Sequence, residues 1–411
     1  MIMRKSRLFY VLVICITLLV TGCGNTSTTT ATSTSSSQTS VDQGEELNNN
    51  QPTPMNAHGN LQVHFIDVGQ ADSILIKASD GTAVLIDGGN NPDGPNVVNY
   101  LKSQQVKELA AVIATHPHED HIGGLDTVIN SFPVKAVYMP DASTTTKTFE
   151  DFISAVAASG AKRIQAKVGV KLDVPGLTGQ FIAPNGSGYE DLNNYSAVLR
   201  LTYGKVSFLF TGDAEEVSET EMLGSGQIVK ADVLKVGHHG SSSSTSSAFL
   251  KAVSPKYAVI SVGADNDYGH PTASTLSKLS GAGVKVFRTD LDGTIVATCD
   301  GESVTFNKKG SAPASVSITS IDLAGEIVTL VNDGSSAVDL TGWKLVSEKG
   351  NQTYSFPSGI TIPAGGTLKV LSGSKAESST GALLWTKSDV WNNDGDPGSL
   401  YNAQGQVVSV K

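Results

Sequence analysis

The chain has 411 residues, 39% of them hydrophobic and 17% charged, and a formal net charge of −10. That length exceeds one ordinary core, so two domains with appendages are expected. The acidic balance excludes a protein that holds polynucleotide by surface charge alone, so any nucleic-acid contact must be local or helped by bound cations. Only Cys15, Cys23 and Cys299 are present, which excludes a disulfide framework.

At the N-terminus, Arg4, Lys5 and Arg7 precede an apolar run from Leu8 to Val20. The run is too short to span a bilayer comfortably, and residues 1–22 have the shape of a secretory signal peptide. Val20-Thr21-Gly22-Cys23 resembles a bacterial lipobox, whose cysteine is diacylated and becomes the first residue. The other reading is an uncleaved signal anchor with an incidental cysteine. The resemblance implies export and lipid anchoring through Cys23 to the outer face of the bacterial cell membrane, where two acyl chains hold firmly. Removing the leader takes three bases and no acid, so 29 − 3 = 26 bases face 39 acids, a charge of −13. Residues 23–57 are rich in Ser, Thr, Asn and Gln and cannot bury enough surface to offset their ordering entropy. They read as a disordered tether with a span of roughly 30 Å by the flexible-linker rule.

Beyond the tether, Leu61–Val68, Ser73–Lys77 and Thr82–Ile86 read as a meander of strands, the last running into Asp87-Gly88-Gly89. Asn96–Gln104 has helical spacing, and Leu109–Ala114 is a short continuous apolar strand. Immediately after it comes Thr115-His116-Pro117-His118-Glu119-Asp120-His121, followed by Ile122-Gly123-Gly124-Leu125 and a helix. Three imidazoles and a carboxylate at a strand end converge on a small volume, with donors suited to zinc, manganese or iron. Pro117 stiffens the loop, and Gly123-Gly124 would let the backbone pass close to the metals. A surface loop with coincidental histidines is disfavoured, because the whole chain holds only eight. Further on, Val206–Phe210 is an apolar strand ending in Thr211-Gly212-Asp213, and Ala231–Val236 is a strand ending at Gly237-His238-His239.

The His-x-His-x-Asp-His string resembles the signature of the metallo-β-lactamase superfamily. Around it stand His64-Phe65-Ile66-Asp67-Val68-Gly69-Gln70-Ala71-Asp72, Leu85-Ile86-Asp87-Gly88-Gly89 and Thr211-Gly212-Asp213. Leu234-Lys235-Val236-Gly237-His238-His239-Gly240-Ser241 and Tyr268-Gly269-His270-Pro271 follow. In this order the strings resemble the extracellular hydrolase domain of the ComEC DNA-uptake proteins, over roughly residues 60–308. The resemblance implies an α/β fold, the αββα sandwich, with its site at one edge of two facing sheets, in a domain covering residues 58–310. It also implies two divalent metal ions, zinc or manganese. His116 and His118 would hold one, Asp120 and His121 the other, and Asp213 would bridge them. Asp120 would also orient the attacking hydroxide.

Several neighbours carry alternatives. Asp87 reads as an acceptor orienting a ligand imidazole, against a plain turn aspartate. No histidine lies between residues 122 and 237, where many superfamily members place another ligand. Asn193-Asn194-Tyr195-Ser196 occupies that stretch, so the first metal would be weakly held, with Asn194 and Ser196 near it or near substrate. Adjacent strand residues face opposite ways, so only one of His238 and His239 should point at the metals. His238 is preferred as ligand, and His239 then steadies the loop or touches substrate. His270 is a ligand or a proton donor to the leaving group, against a structural turn histidine. Ser241–Ser247 lacks a Gly-x-Ser-x-Gly elbow and reads as a polar loop, led by Ser241, able to donate hydrogen bonds to phosphate.

Gly310-Ser311-Ala312-Pro313 marks a composition break. Ser315–Ile321, Glu326–Val331, Ala337–Leu340, Trp343–Ser347, Thr353–Phe356 and Thr367–Leu371 then read as short strands of an all-β sandwich. The strings Asp339-Leu340-Thr341-Gly342-Trp343, Ile362-Pro363-Ala364-Gly365-Gly366 and Trp391-Asn392-Asn393-Asp394-Gly395-Asp396 resemble a lamin-tail domain over residues 314–411. That family implies an immunoglobulin-like module binding DNA or a cell-surface component. Trp343 and Trp391 are possible stacking platforms, with core packing preferred for Trp343. Asn392–Asp396 reads as a tight loop rather than a calcium site.

The leading functional expectation is a cell-surface phosphodiesterase or nuclease, acting on extracellular DNA or nucleotides through a metal-activated hydroxide. A lactone, thioester or β-lactam hydrolase on the same fold is the alternative, because fold does not settle substrate. A scaffold without activity is disfavoured by the intact His116–His121 string. No stretch after residue 22 is apolar enough to span a membrane, so DNA transport by this chain alone is not expected.

Overall fold

The computed structural model describes residues 59–311, 315–334, 337–403, 405 and 407–411. The expected leader, Cys23 and the tether lie outside the described residues.

Residues 61–113 build four strands: β1 (Leu61–Phe65), β2 (Ile74–Ala78), β3 (Ala83–Ile86) and β4 (Ala111–Ile113). β5 (Ala136–Met139) and β6 (Lys162–Gln165) extend that sheet on one side. Ile295–Cys299 and Val304–Phe306 extend it on the other, giving eight strands. The second sheet has seven, including Leu199–Tyr203, Val206–Phe210, Val233–Lys235, Tyr257–Ile260 and Lys285–Arg288. Pairing changes within both sheets. β1–β3 are antiparallel whereas β3–β6 are parallel. Likewise 199–203 runs against 206–210, while 206–210, 233–235, 257–260 and 285–288 are parallel.

The parallel strands are covered on both faces, which is why they read as unbroken apolar runs rather than alternation. In β4, Ala111 and Ile113 face the second sheet, where Leu201, Phe208 and Phe210 meet them in one core. Val112 faces outward onto α1 (Gly94–Ser103), α2 (Leu125–Ser131) and α3 (Lys147–Ser159), through Leu101, Val128 and Phe152. On the far side, Leu209, Leu234 and Ile260 pack under α4 (Glu216–Gly224), α5 (Ser247–Val253) and α6 (Ala273–Gly281), through Met222, Phe249 and Leu279. Helices, sheet, sheet and helices form four layers, the αββα arrangement. Among the described residues no helix is long and apolar enough to cross a membrane.

The C-terminal strands make two four-stranded sheets around a core of Val316, Val328, Leu345, Val370, Trp391 and Leu400. Strands 382–384, 398–401 and 407–410 complete them. Trp391 is only 3% exposed, so it is a core side chain and offers no stacking face. Trp343 packs half-buried against the same core. The Asp396 carboxylate accepts from Ser347 Oγ, Lys349 N and Asn392 N, closing the Asn392–Asp396 segment as a tight loop. This module rests on α6: Val410 N donates to Ser277 Oγ at 3.1 Å.

Candidate metal centre

The expected donors come from the carboxyl ends of parallel strands in both sheets, the edge where open α/β sheets place ligands. Asp87 follows β3, His116–His121 follow β4, Asp213 follows 206–210, and His238–His239 follow 233–235. One ligand atom each from Asp120, His121, Asp213 and His239 falls within 4.8 Å of the others. His121 Nε2 lies 3.2 Å from Asp213 Oδ2, and His239 Nε2 lies 3.2 Å from Asp120 Oδ2. Beside this group stands a second pair, His116 Nε2 and His118 Nδ1, 3.0 Å apart.

Hydrogen bonds set the imidazoles. The buried Asp87 accepts from Thr115 N at 2.8 Å, from Thr115 Oγ1 at 2.7 Å and from His121 Nδ1 at 2.8 Å. With its hydrogen committed to Asp87, Thr115 Oγ1 accepts from His116 Nδ1 at 3.2 Å. His239 Nδ1 donates to the Ser261 carbonyl at 2.9 Å. Each outer nitrogen is thereby a donor, which turns Nε2 of His121 and His239 toward the carboxylates and Nε2 of His116 toward His118. His121 Nε2 and Asp213 Oδ1 are buried without a hydrogen-bond partner. Buried orphan donors and acceptors are rare in native proteins. Orphan N and O atoms facing one point, among imidazoles and carboxylates, fit a divalent first-row cation. Burial alone would lower the pKa of His121, but Asp213, Asp120 and Asp87 outweigh it and hold that pKa well above the ordinary value. His116, buried beside His121, is held well below it.

The structure reverses the expected order of the two adjacent histidines. His239 is buried within the cluster, whereas His238 is 25% exposed, with Nε2 3.8 Å from Asp213 Oδ2 and Nδ1 3.3 Å from Glu215 Oε1. Both lie past the strand, in a tight turn with φ of 48° and 52° that buries His239. Ser196 Oγ accepts from Asp213 N at 3.0 Å and stands 3.5 Å from His116 Nδ1. Asn194 instead turns to the start of α4, accepting from Ser218 N at 3.2 Å. The serine loop is largely used within the fold. Ser243 Oγ donates to Glu215 and Ser244 Oγ to the Ala214 carbonyl, while Thr245 N and Ser246 N bind Glu219. Ser241 Oγ pairs with Ser243 Oγ at 3.0 Å. His270 lies at the rim, its ring 5.5 Å from that of His238, and burial first, then His238, lowers its pKa to about 4. Gly123 and Gly124 approach backbone rather than metal: a Cβ would stand 2.3 Å from Asn91 N or 2.2 Å from Gly88 O.

Three residues escaped the sequence reading. Thr115 carries the bonds that orient two histidines. Lys235 and Asp72 form a buried ion pair, Nζ to Oδ2 at 2.6 Å, with Asp72 Oδ1 3.6 Å from His239 Nδ1. Sequence spacing does not mark Asp72, in the loop before β2, and Lys235, at the end of a strand in the other sheet, as partners. Asp72 and Asp87 also surround His121 closely enough to resemble a ligand group. The first is paired with Lys235 and the second is bonded to Thr115, so both are placed to orient rather than ligate.

Such a donor set at the edge of an αββα sandwich defines a hydrolase fold of the metallo-β-lactamase class. Residues 66–264 match the metallo-beta-lactamase superfamily, and residues 309–410 match the lamin tail domain. The chain therefore carries a metallo-beta-lactamase domain followed by a lamin tail domain. The first is related to competence proteins. It is similar to ComE operon protein 3 of Bacillus subtilis, 34% identical over 251 residues, covering 57% of this chain and 32% of that protein. Competence protein ComA of Neisseria gonorrhoeae is 30% identical over 230 residues, 56% of this chain and 31% of that protein. The chain thus spans about a third of the length of these relatives. Lamin Dm0 of Drosophila melanogaster is 35% identical over 105 residues, 24% of this chain and 17% of its own.

Proposed function

We propose that the chain is an exported, lipid-anchored phosphodiesterase that cleaves nucleic acid or nucleotides outside the cell with the help of two divalent ions, zinc or manganese. The observation that carries this reading is the convergence of Asp120, His121, Asp213 and His239, with orphaned His121 Nε2 and Asp213 Oδ1 between two sheets. The kinship with competence proteins favours a nucleic-acid substrate. Export and anchoring rest on the leader and Cys23.

Asp120, His121, Asp213 and His239 would hold one ion, and His116 and His118, sharing Asp213, the other. A bound pair supplies Lewis acidity that makes water nucleophilic at neutral pH and neutralises charge on phosphate oxygens. Asp87 and Thr115 keep the Nε2 lone pairs turned inward. Asp120, 32% exposed, is the carboxylate placed to orient an attacking water. His270 at the rim is neutral at pH 7 and can donate an N–H to a leaving oxygen without carrying charge.

The test incubates the full-length chain with single- and double-stranded DNA in manganese or zinc, beside His118→Ala. Metal-dependent cleavage lost in the variant supports the reading. A folded, metal-loaded protein that cuts neither DNA overturns it and points to ester, thioester or lactone substrates.

A further inference from the structure

Tyr268 is one of the few exposed large apolar side chains of the described residues, at 72% exposure. It does not stand alone. Its ring stacks on His270 at 5.8 Å with 25° between planes, and the His270 ring meets His238 at 5.5 Å. His238 Nε2 in turn lies 3.8 Å from Asp213 Oδ2. A row of three rings therefore leads from solvent to the candidate metal centre.

The loop that carries the outer ring is fixed. Asn266 Nδ2 donates to the carbonyls of Gly263 and His270, at 2.9 and 2.6 Å. Its Oδ1 accepts from Tyr268 N and His270 N, at 3.1 and 3.0 Å. Behind the loop, Pro271 packs so closely on Gly240 that a Cβ there would stand 2.5 Å from Pro271 Cβ. An exposed aromatic on a mobile loop would lose affinity to ordering, and this one is already ordered. Its immediate surroundings are acidic, with Asp265 and Asp267 both exposed. Phosphate is repelled there and would be attracted by cations held at the inner end of the row. The polarity suits a nucleotide whose base meets Tyr268 and whose phosphate meets the metal centre.

We propose that Tyr268, backed by His270, is a stacking platform for an unpaired nucleobase next to the phosphate undergoing cleavage, so that single strands and frayed ends are preferred over paired duplex. The proposal rests on the phosphodiesterase reading above. A base within a duplex has no free face to offer. Aromatic stacking is sequence-tolerant, so little base preference follows.

The test compares full-length wild type, Tyr268→Ala and Tyr268→Phe on a fluorescein-labelled oligodeoxythymidylate and on an abasic strand of equal length, both in manganese. The readouts are KM and kcat separately, and equilibrium affinity by fluorescence anisotropy. The expected result is a base-bearing over abasic preference that falls roughly tenfold in Tyr268→Ala, through KM and affinity rather than kcat, and is retained in Tyr268→Phe. An unchanged preference in Tyr268→Ala, or equal losses on both strands, overturns the platform while leaving the phosphodiesterase reading intact. Wild type that cuts neither strand while loaded with manganese removes both.

Discussion

Asp87→Asn isolates the orienting role of one carboxylate. In the native chain both oxygens of Asp87 act only as acceptors, toward Thr115 N, Thr115 Oγ1 and His121 Nδ1. The amide must keep its oxygen toward Thr115 N, because a backbone N–H cannot become an acceptor. Its NH2 then faces His121 Nδ1, and two donors meet. His121 can escape by moving its proton to Nε2, which removes the lone pair that faces Asp213. Loss of such an outer partner typically costs 10- to 100-fold in metal affinity, about 1.4–2.8 kcal/mol. Folding of the metal-free chain should suffer much less. Burial raises the Asp87 pKa, and an amide relieves that desolvation. Asn also tolerates the left-handed backbone at this position, φ 56°. Zinc affinity by chelator competition, alongside urea unfolding of metal-free protein, separates the two effects. Unchanged zinc affinity in Asp87→Asn would refute the tautomer argument, as would a loss of affinity that merely tracks a loss of stability.

Lys235→Met leaves Asp72 as an unpaired buried charge and should destabilise the chain by about 3–5 kcal/mol, with part recovered in the Lys235→Met/Asp72→Asn double variant. Urea unfolding that shows no such recovery would count against the pair. Metal titration should resolve two unequal affinities, with His118→Ala abolishing the weaker and His239→Ala weakening the tighter. A single class of site, or the opposite assignment, contradicts the geometry. His64, on β1 and bonded to Tyr100, is held by burial and then by Lys77 at a pKa of about 4, against 6.5. The unfolded chain therefore takes up this proton at higher pH than the folded one. The contribution is present above pH 6.5 and lost as pH falls toward 4, about 3 kcal/mol in all. His64→Asn should flatten the acid-side fall in stability between pH 7 and 4.5, and a fall parallel to wild type would argue against it.

Sequence carries the layered core well, because strands buried on both faces must be apolar at every position. Val206–Phe210, buried at every position, coincides with its expected bounds for that reason, whereas Thr367–Leu371 does so through period-2 alternation of exposed and buried positions. The rest is harder to read. Val233 packs between the sheets and Leu234 and Val236 under the helices, so the strand's own alternation favours His239, and the positive-φ turn that follows buries it. Strands 398–401 and 407–410 escape notice because Gly398 and Ser399, and later Ser409, are buried without being apolar. Partners drawn from different sheets, such as Lys235 and Asp72, have no periodicity to betray them.

The buried ammonium of Lys235 bears on the order of assembly. Asp72, Asp87, Asp120 and Asp213 would otherwise gather four negative charges before any cation arrived. Lys235 Nζ, 2.6 Å from Asp72 Oδ2, brings a basic group among them. His121 and His239 can add protons, since neighbouring carboxylates raise both pKa values against the effect of burial. The chain can therefore close around its centre while still empty-handed, and loading becomes an exchange of protons for metal. Uptake should then sharpen as pH rises and release protons that a weakly buffered titration can count.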